Sequence, residues 1–366
     1  MDESERFMAV VQTDQGLMLL QSGTELNADH ADLQSSQINS SLSAIQGTKD
    51  HSLWTLHLTD FDLSKSRKIS FTKSILFTEW ITLNMPIKEA LDIHFEPLNA
   101  ESFFKVVETA KGEMADGGLK KIVPCVFEVA KSELGFCPLV FNLLKRLQVS
   151  AQEARYQNSF AYAFIDFENE FAFLGLTPEL LFHVKSQTLN TMALAGTFFE
   201  NKGITREEFL VDPKETSEHL IVVADIKERV VPFGKVKQGT LKIKKIGALE
   251  HLLTEIHVLL TQKMNYDLCV KTLHPTAALG VYPKAKLDEW RDRLACGAER
   301  KYFGSPFGVE TPDGQFYCYV AIRNIEIEGK NIRIGAGCGI VSSSDPKKEW
   351  QELKAKRESV KGIFRL

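Results

Sequence analysis

Two acidic stretches far apart in the chain hold the residues best suited to chemistry. In Gly335–Lys356, GAGCGIVSSSDPKKEWQELKAK, the side chains of Glu349, Glu352 and Lys356 fall at i, i+3 and i+7 and project from one helix face. Asp212-Pro213-Lys214-Glu215-Thr216-Ser217-Glu218-His219 repeats the grammar, with Glu215 and Glu218 on a shared face. If the two helix starts meet, four carboxylates converge, and like charges that close need a cation.

Both stretches are built to begin helices. Ser344 or Asp345 can cap the second, and Pro346 suits a first turn where a missing N–H costs nothing. Asp212 and Glu215 are spaced for a capping box. Other candidates sit on strands and turns. Lys121, in LKKIVPCVFEV, points to one strand face and Ile122 to the other, and alone it reads as a solvated residue. Glu179, in GLTPELL, reads as a surface carboxylate at a turn; buried, it would hold a proton near neutrality as a general acid must. Leu194-Ala195-Gly196-Thr197 ends a strand with residues small enough for close approach of a ligand. LHPTAALG at 273–280, which contains Ala278, describes a lining loop. Arg323, in AIRNIEI, is placed inside an apolar strand, where a buried guanidinium needs an anion from protein or substrate. His251 and His257 fall in a helix expected over 247–263, where a lone histidine is ordinarily a packed core residue.

Composition narrows the class. The chain has 366 residues, 44% hydrophobic and 25% charged, enough apolar material for a sizeable core. Lys and Arg number 44 against 48 Asp and Glu, a net charge of −4, so no electrostatic case exists for nucleic acid or an anionic membrane. Six scattered cysteines without a C-x-x-C pair read as reduced thiols of a cytoplasmic protein. The acidic start MDESERF has no apolar h-region, so no signal peptide is expected, and no apolar run of about 18 residues predicts a membrane span.

In chain order, 7–20 predicts a hairpin around Asp14-Gln15-Gly16, 21–50 a polar loop, and 51–58 and 69–83 strands. Helices are expected over 99–111 and 138–149, and strands over 119–129, 159–166, 171–175 and 180–193. A strand pair covers 314–328 and 331–335. Gly335-x-Gly337-x-Gly339 is not a dinucleotide fingerprint, no Walker A sequence is present, and Ser342–Ser344 lack a nucleophile-elbow context. No repeat or linker interrupts the chain, which favours one domain.

In order, FLGLTPELL, LAGT, KETSEH, LHPTAALG with Pro283-Lys284 beyond, YFG, AIR and GAGCGIVSSSDPKKEWQELKAK resemble the chorismate-binding enzymes over about 99 to 360. That family includes the isochorismate, salicylate, anthranilate and aminodeoxychorismate synthases. The resemblance implies a single large α/β (α+β) domain. Two antiparallel sheets pack as a sandwich with helices outside, residues 1–95 being the variable N-terminal part and 96–366 the catalytic core. It implies chorismate as substrate and Mg²⁺ as cofactor, with Glu218 and Glu352 as direct ligands and Glu215 and Glu349 acting through water. It assigns the grip on the substrate carboxylates to Tyr302, Arg323, Lys356 and the backbone near Gly337 and Gly339. It places Gly196 and Thr197 along the ring and His251 beside the metal-bound carboxylate. Lys121 resembles the general base of the water-adding members and Glu179 the general acid, whereas ammonia-using members lack this lysine. Ala278 resembles the isochorismate synthases, where salicylate synthases carry threonine. The expected function is therefore an isochorismate synthase of menaquinone or siderophore biosynthesis, a monomer or weak homodimer. The alternatives are a salicylate synthase, an ammonia-using relative, or a non-catalytic binding protein on the same fold. Departures are Pro124, which predicts an edge or bulge in the Lys121 strand, Phe198-Phe199 after LAGT, and Val281.

Overall fold

The computed structural model describes residues 7–14, 16–21, 53–71, 73–76, 91–199 and 204–366. The polar stretch 21–50 lies almost entirely outside them, as does 77–83 of the predicted strand. Strands in chain order are β1 (Phe7–Thr13), β2 (Gly16–Gln21), β3 (Trp54–Thr59), β4 (Ser66–Phe71), β5 (Lys73–Leu76), β6 (Lys121–Ile122), β7 (Cys125–Lys131), β8 (Phe160–Asp166), β9 (Phe171–Thr177) and β10 (Leu180–Lys185). They continue as β11 (Thr188–Phe199), β12 (Gly234–Gln238), β13 (Lys242–Ile246), β14 (Leu249–Leu260), β15 (Val281–Tyr282), β16 (Pro306–Glu310), β17 (Phe316–Val320), β18 (Asn324–Glu328) and β19 (Asn331–Gly337). The helices are α1 (Glu101–Ala115), α2 (Phe136–Gln152), α3 (Arg206–Val211), α4 (Pro213–Val230), α5 (Tyr266–Leu273), α6 (Leu287–Trp290) and α7 (Pro346–Phe364).

Two antiparallel sheets run in the order β5-β2-β1-β8-β9-β18-β19-β7 and β12-β14-β11-β10-β17-β16-β3-β4, with β13 also on β14. Their inner faces share one aromatic-rich core, in which Tyr162, Phe164 and Phe173 of the first sheet meet Phe307, Tyr317 and Tyr319 of the second. Helices seal the outer faces. Leu139, Val140, Leu143, Leu144 and Leu147 of α2 recur at helical spacing and bury against the first sheet together with Val360 and Ile363 of α7. Val222, Val223 and Ile226 of α4 do the same on the second sheet with Cys269 and Val270 of α5. The expected sandwich with outer helices is what these residues build. β1 to β5 complete both sheets, so the described residues before 96 belong to the same core.

Three local expectations change. Residues 249–260 form the strand β14, paired with β11 on one side and with β12 and β13 on the other. The leucines at 249, 252, 253, 256 (as Ile), 259 and 260 mimic a helical stripe. However, Leu252, Thr254, Ile256, Val258 and Leu260 are all buried at a spacing of two, and it is this period that the sheet uses. The run 180–193 is a hairpin of β10 and β11, turned at Ser186, whose φ is 54°. The strand over 119–129 breaks at Pro124 into β6 and β7, and β7 takes the sheet edge, as a strand proline requires. No helix among the described residues is long and apolar enough to cross a membrane.

Candidate active site

The site forms where the chain changes sheets. β17 belongs to the second sheet and β18 to the first, so the predicted strand 314–328 is split, and Arg323 sits at the crossing with φ 55° rather than inside a strand. The glycine-rich end of β19, the turn after β9 and the end of β11 open onto the same gap, which Glu179, Gly196, Thr197, Glu218, His251, Ala278, Arg323, Gly337, Gly339 and Lys356 line.

Helix starts deliver the acids. Asp345 caps α7 by accepting from the N–H groups of Lys347 and Lys348, with Pro346 in the first turn. Asp212 caps α4 by accepting from Lys214 and Glu215. The capping box expected there is only half made. The Glu215 carboxylate turns away from Asp212 and accepts from the Thr197 N–H at 3.0 Å. The approach is possible because β11 bulges between Ala195 and Thr197, where Gly196 has φ +75° and a Cβ would stand 3.1 Å from Glu215 Oε2. Thr197 Oγ1 donates to Glu352 Oε1 at 2.9 Å, and Lys356 Nζ lies 2.7 Å from the same oxygen while donating to Gly337 O at 2.8 Å.

Glu215, Glu218, Glu349 and Glu352 are all buried. Three of them surround the ammonium of Lys214, at 2.9 Å from Glu349 Oε1, 3.0 Å from Glu218 Oε2 and 3.3 Å from Glu215 Oε1. Among the described residues, no three His, Cys, Asp or Glu side chains stand as a metal-holding group, and here the Lys214 ammonium stands among the carboxylates. The donor set nevertheless suits a hard divalent cation, being carboxylate oxygen only. Glu349 Oε2 is buried with no hydrogen-bond partner. Burial works against ionisation of Glu218, yet Lys214 and then Lys121 bring it below the usual carboxylate range. Glu349 is raised, chiefly by burial, with Lys214 opposing and its acidic neighbours adding to the rise.

Lys121 and Glu179 are not surface residues. Lys121 has 0% exposure, and its Nζ lies 3.3 Å from Glu218 Oε1 in a geometry that makes no hydrogen bond. Burial lowers its pKa, with Glu218 opposing. The pairing of Ile122 with Ile340 brings Gly339 beside it; a Cβ on that glycine would sit 1.9 Å from Glu218 Oε1 and 2.8 Å from Lys121 Cε. Glu179 is 5% exposed and is raised to about 7 by burial, against the pull of Lys121, Lys244 and Lys356. His251 is neutral, pushed down to about 3 by burial and by Arg323. Its Nδ1–H donates to Gly196 O at 3.0 Å, which leaves Nε2 to accept from the Arg323 guanidinium at 3.2 Å.

Of the expected residues, Lys121, Glu215, Glu349 and Glu352 are not part of the gap's lining but are tied to residues that are, whereas Tyr302 faces elsewhere. The half-buried Tyr302 ring stacks on Phe173 with centroids 5.3 Å apart at the margin of the core between the sheets, and the neighbouring Phe303 lines the site instead. Sequence reasoning also passed over Lys214 and Lys244. Lys244 is buried, donates to Pro178 O at 2.7 Å and stands over the Phe160 ring, beside the Glu179 turn.

The family model described as chorismate binding enzyme matches residues 59–364. The chain belongs to that family. Among characterised chorismate-binding enzymes, it is 32% identical to isochorismate synthase MenF of Haemophilus influenzae over 58% of this chain and 50% of that protein. It is 27% identical to Escherichia coli MenF over 85% of this chain and 72% of that one. The chain thus matches only about half of the Haemophilus relative. In fold it is similar to a Bacillus anthracis protein described as a 2,3-dihydroxybenzoate-specific isochorismate synthase, DhbC, with a TM-score of 0.76 at 21% identity over 100% of this chain and 98% of that one.

Proposed function

We propose that this chorismate-binding enzyme is a Mg²⁺-dependent isochorismate synthase. The observation that carries the reading is a set of two buried groups of opposite proton demand at one site, Glu179 lining the gap and Lys121 sealed against Glu218 and Gly339, which also line it. Lys121 is depressed by burial and Glu179 is raised by it to about 7. Such splitting marks a base and an acid. The names of the relatives at 32% and 27% identity point the same way.

In this reading Lys121, neutral when it acts, takes a proton from water as the oxygen bonds to C2 of the substrate ring. Glu179 gives its proton to the C4 hydroxyl, which departs as water while the ring double bonds shift, so one water enters and one leaves. Arg323 and Lys356 supply positive charge for the substrate carboxylates, and neutral His251 fixes the guanidinium without competing for an anion. Glu215, Glu218, Glu349 and Glu352 would hold Mg²⁺, which supplies charge neutralisation and orientation of the substrate. Ala278 leaves the gap free of a hydroxyl at that position.

The test is an incubation of purified protein with chorismate and MgCl₂, with and without ammonium ion, followed by chromatographic separation of products. Isochorismate alone is expected. Salicylate with pyruvate would extend the reaction to elimination, anthranilate would show ammonia in place of water as nucleophile, and unchanged chorismate would refute the enzyme reading.

A further inference from the structure

Lys214 is placed where helix physics alone would not put it. It occupies the second position after the Asp212 cap of α4, where a positive charge opposes the helix dipole. Its ammonium instead gathers Glu215, Glu218 and Glu349 from two helices, and Glu352 also acts on it. Without a cation between them, these buried carboxylates would repel one another. The cage is not saturated, since Glu349 Oε2 has no hydrogen-bond partner.

Of the other ammoniums at the cluster, that of Lys121 is sealed at 0% exposure, and that of Lys356 sits on Glu352 Oε1 while donating to Gly337 O. Lys214 differs. Its side chain is 15% exposed, and a lysine is a compact charge on a flexible four-carbon stem. It can swing toward solvent as a metal ion takes its place among the carboxylates. We propose that Lys214 is a built-in counter-cation that holds the acidic cage together before the metal arrives and is displaced from it by the divalent ion. Metal binding is then an exchange of one ammonium for one metal ion. The exchange keeps the ligands preorganised and weakens net affinity, because the lysine competes for the same oxygens. This inference rests on the metal site proposed above.

The wild-type protein allows a direct test. Lysine acetylation by a water-soluble acylating reagent is followed by mass spectrometry with and without MgCl₂ at constant ionic strength. Modification of Lys214 should quicken several-fold with Mg²⁺, while exposed Lys105 stays unchanged as the internal standard. Calorimetry gives the second readout. Lys214→Met should bind Mg²⁺ at least tenfold more tightly than wild type, and its metal-free form should melt at a lower temperature, with the gap closing at saturating Mg²⁺. Equal or weaker Mg²⁺ binding by Lys214→Met, or unchanged or slowed acetylation of Lys214 in a wild type that binds Mg²⁺, would overturn displacement alone. Absence of saturable Mg²⁺ binding to wild type would overturn the metal site itself and this proposal with it.

Discussion

Lys121 Nζ and Glu218 Oε1 stand 3.3 Å apart, and both side chains are buried. The lysine is thus tied to a carboxylate that favours its charged form, inside surroundings that favour the neutral one, and burial is the larger effect. Replacing Lys121 by Met removes the base while Lys214 still pairs with Glu218. Turnover of chorismate should fall by roughly 10²-fold to 10⁴-fold. Substrate binding measured by calorimetry in the presence of Mg²⁺ should persist. Undiminished turnover would remove Lys121 from the role of base.

Glu179 ties stability to pH in the sense opposite to a salt-bridged acid. Its pKa rises from 4.5 in the open chain to about 7 in the fold. The folded state therefore binds the proton more tightly, and the cost of burying the carboxylate appears as pH climbs through this window and is complete above it. Glu179→Gln keeps the shape without the charge. It should match wild type in denaturant melts at pH 4 and exceed it at pH 8, by at most about 3 kcal/mol. It should also lose turnover, because an amide cannot serve as the acid. Equal stability at both pH values would place the carboxyl in a wetter setting than this one.

Lys244 offers a separate handle on the same acid. Glu179 is faced by Lys121 from β6, Lys244 from β13 and Lys356 from α7, and each lowers its pKa. Lys244→Met deletes one of these charges without touching the gap. The alkaline limb of the turnover profile, where Glu179 loses its proton, should move up by about one pH unit. A profile unchanged in shape with only a lower plateau would mean that Lys244 merely supports the Pro178 turn.

Gly339 is the third point of leverage. An alanine methyl would collide with Glu218 Oε1 and crowd Lys121 Cε, and both neighbours are sealed in place. Gly339→Ala should therefore abolish measurable turnover and weaken Mg²⁺ binding. The cost in stability is expected to be about 1–3 kcal/mol, as for other overpacked cores. Wild-type turnover in this variant would mean that Glu218 has room to retreat.

Much of the site was legible because it is written in local rules. Asp-Pro at 212 and at 345 announces a capped helix, and two acids three residues apart within each helix must share a face. The hairpin at 7–20 was legible for the same reason, with Thr13 opposite Gly16. What stayed hidden depends on partners distant in sequence. The burial of Lys121 and Glu179 is set by strands and helices from the far half of the chain, so their types suggested surface. Tyr302 and Phe303 are adjacent aromatics, and only the turn between them and β16 decides which one faces the gap. Lys214 carried no distinguishing mark, since Lys347 follows Asp-Pro equally closely and is exposed, outside the cage.

β7 lies at the border of the first sheet, and among the described residues β19 is its one partner strand, with a bridge between Ala130 and Phe95 besides. A ribosome finishes β7 long before it begins β19. During that interval a row of open N–H and C=O groups is available to any stray strand, including that of another nascent copy. β7, which follows β6 and its Lys121 closely in the chain, therefore gains its strand partner only when nearly the whole polypeptide has emerged.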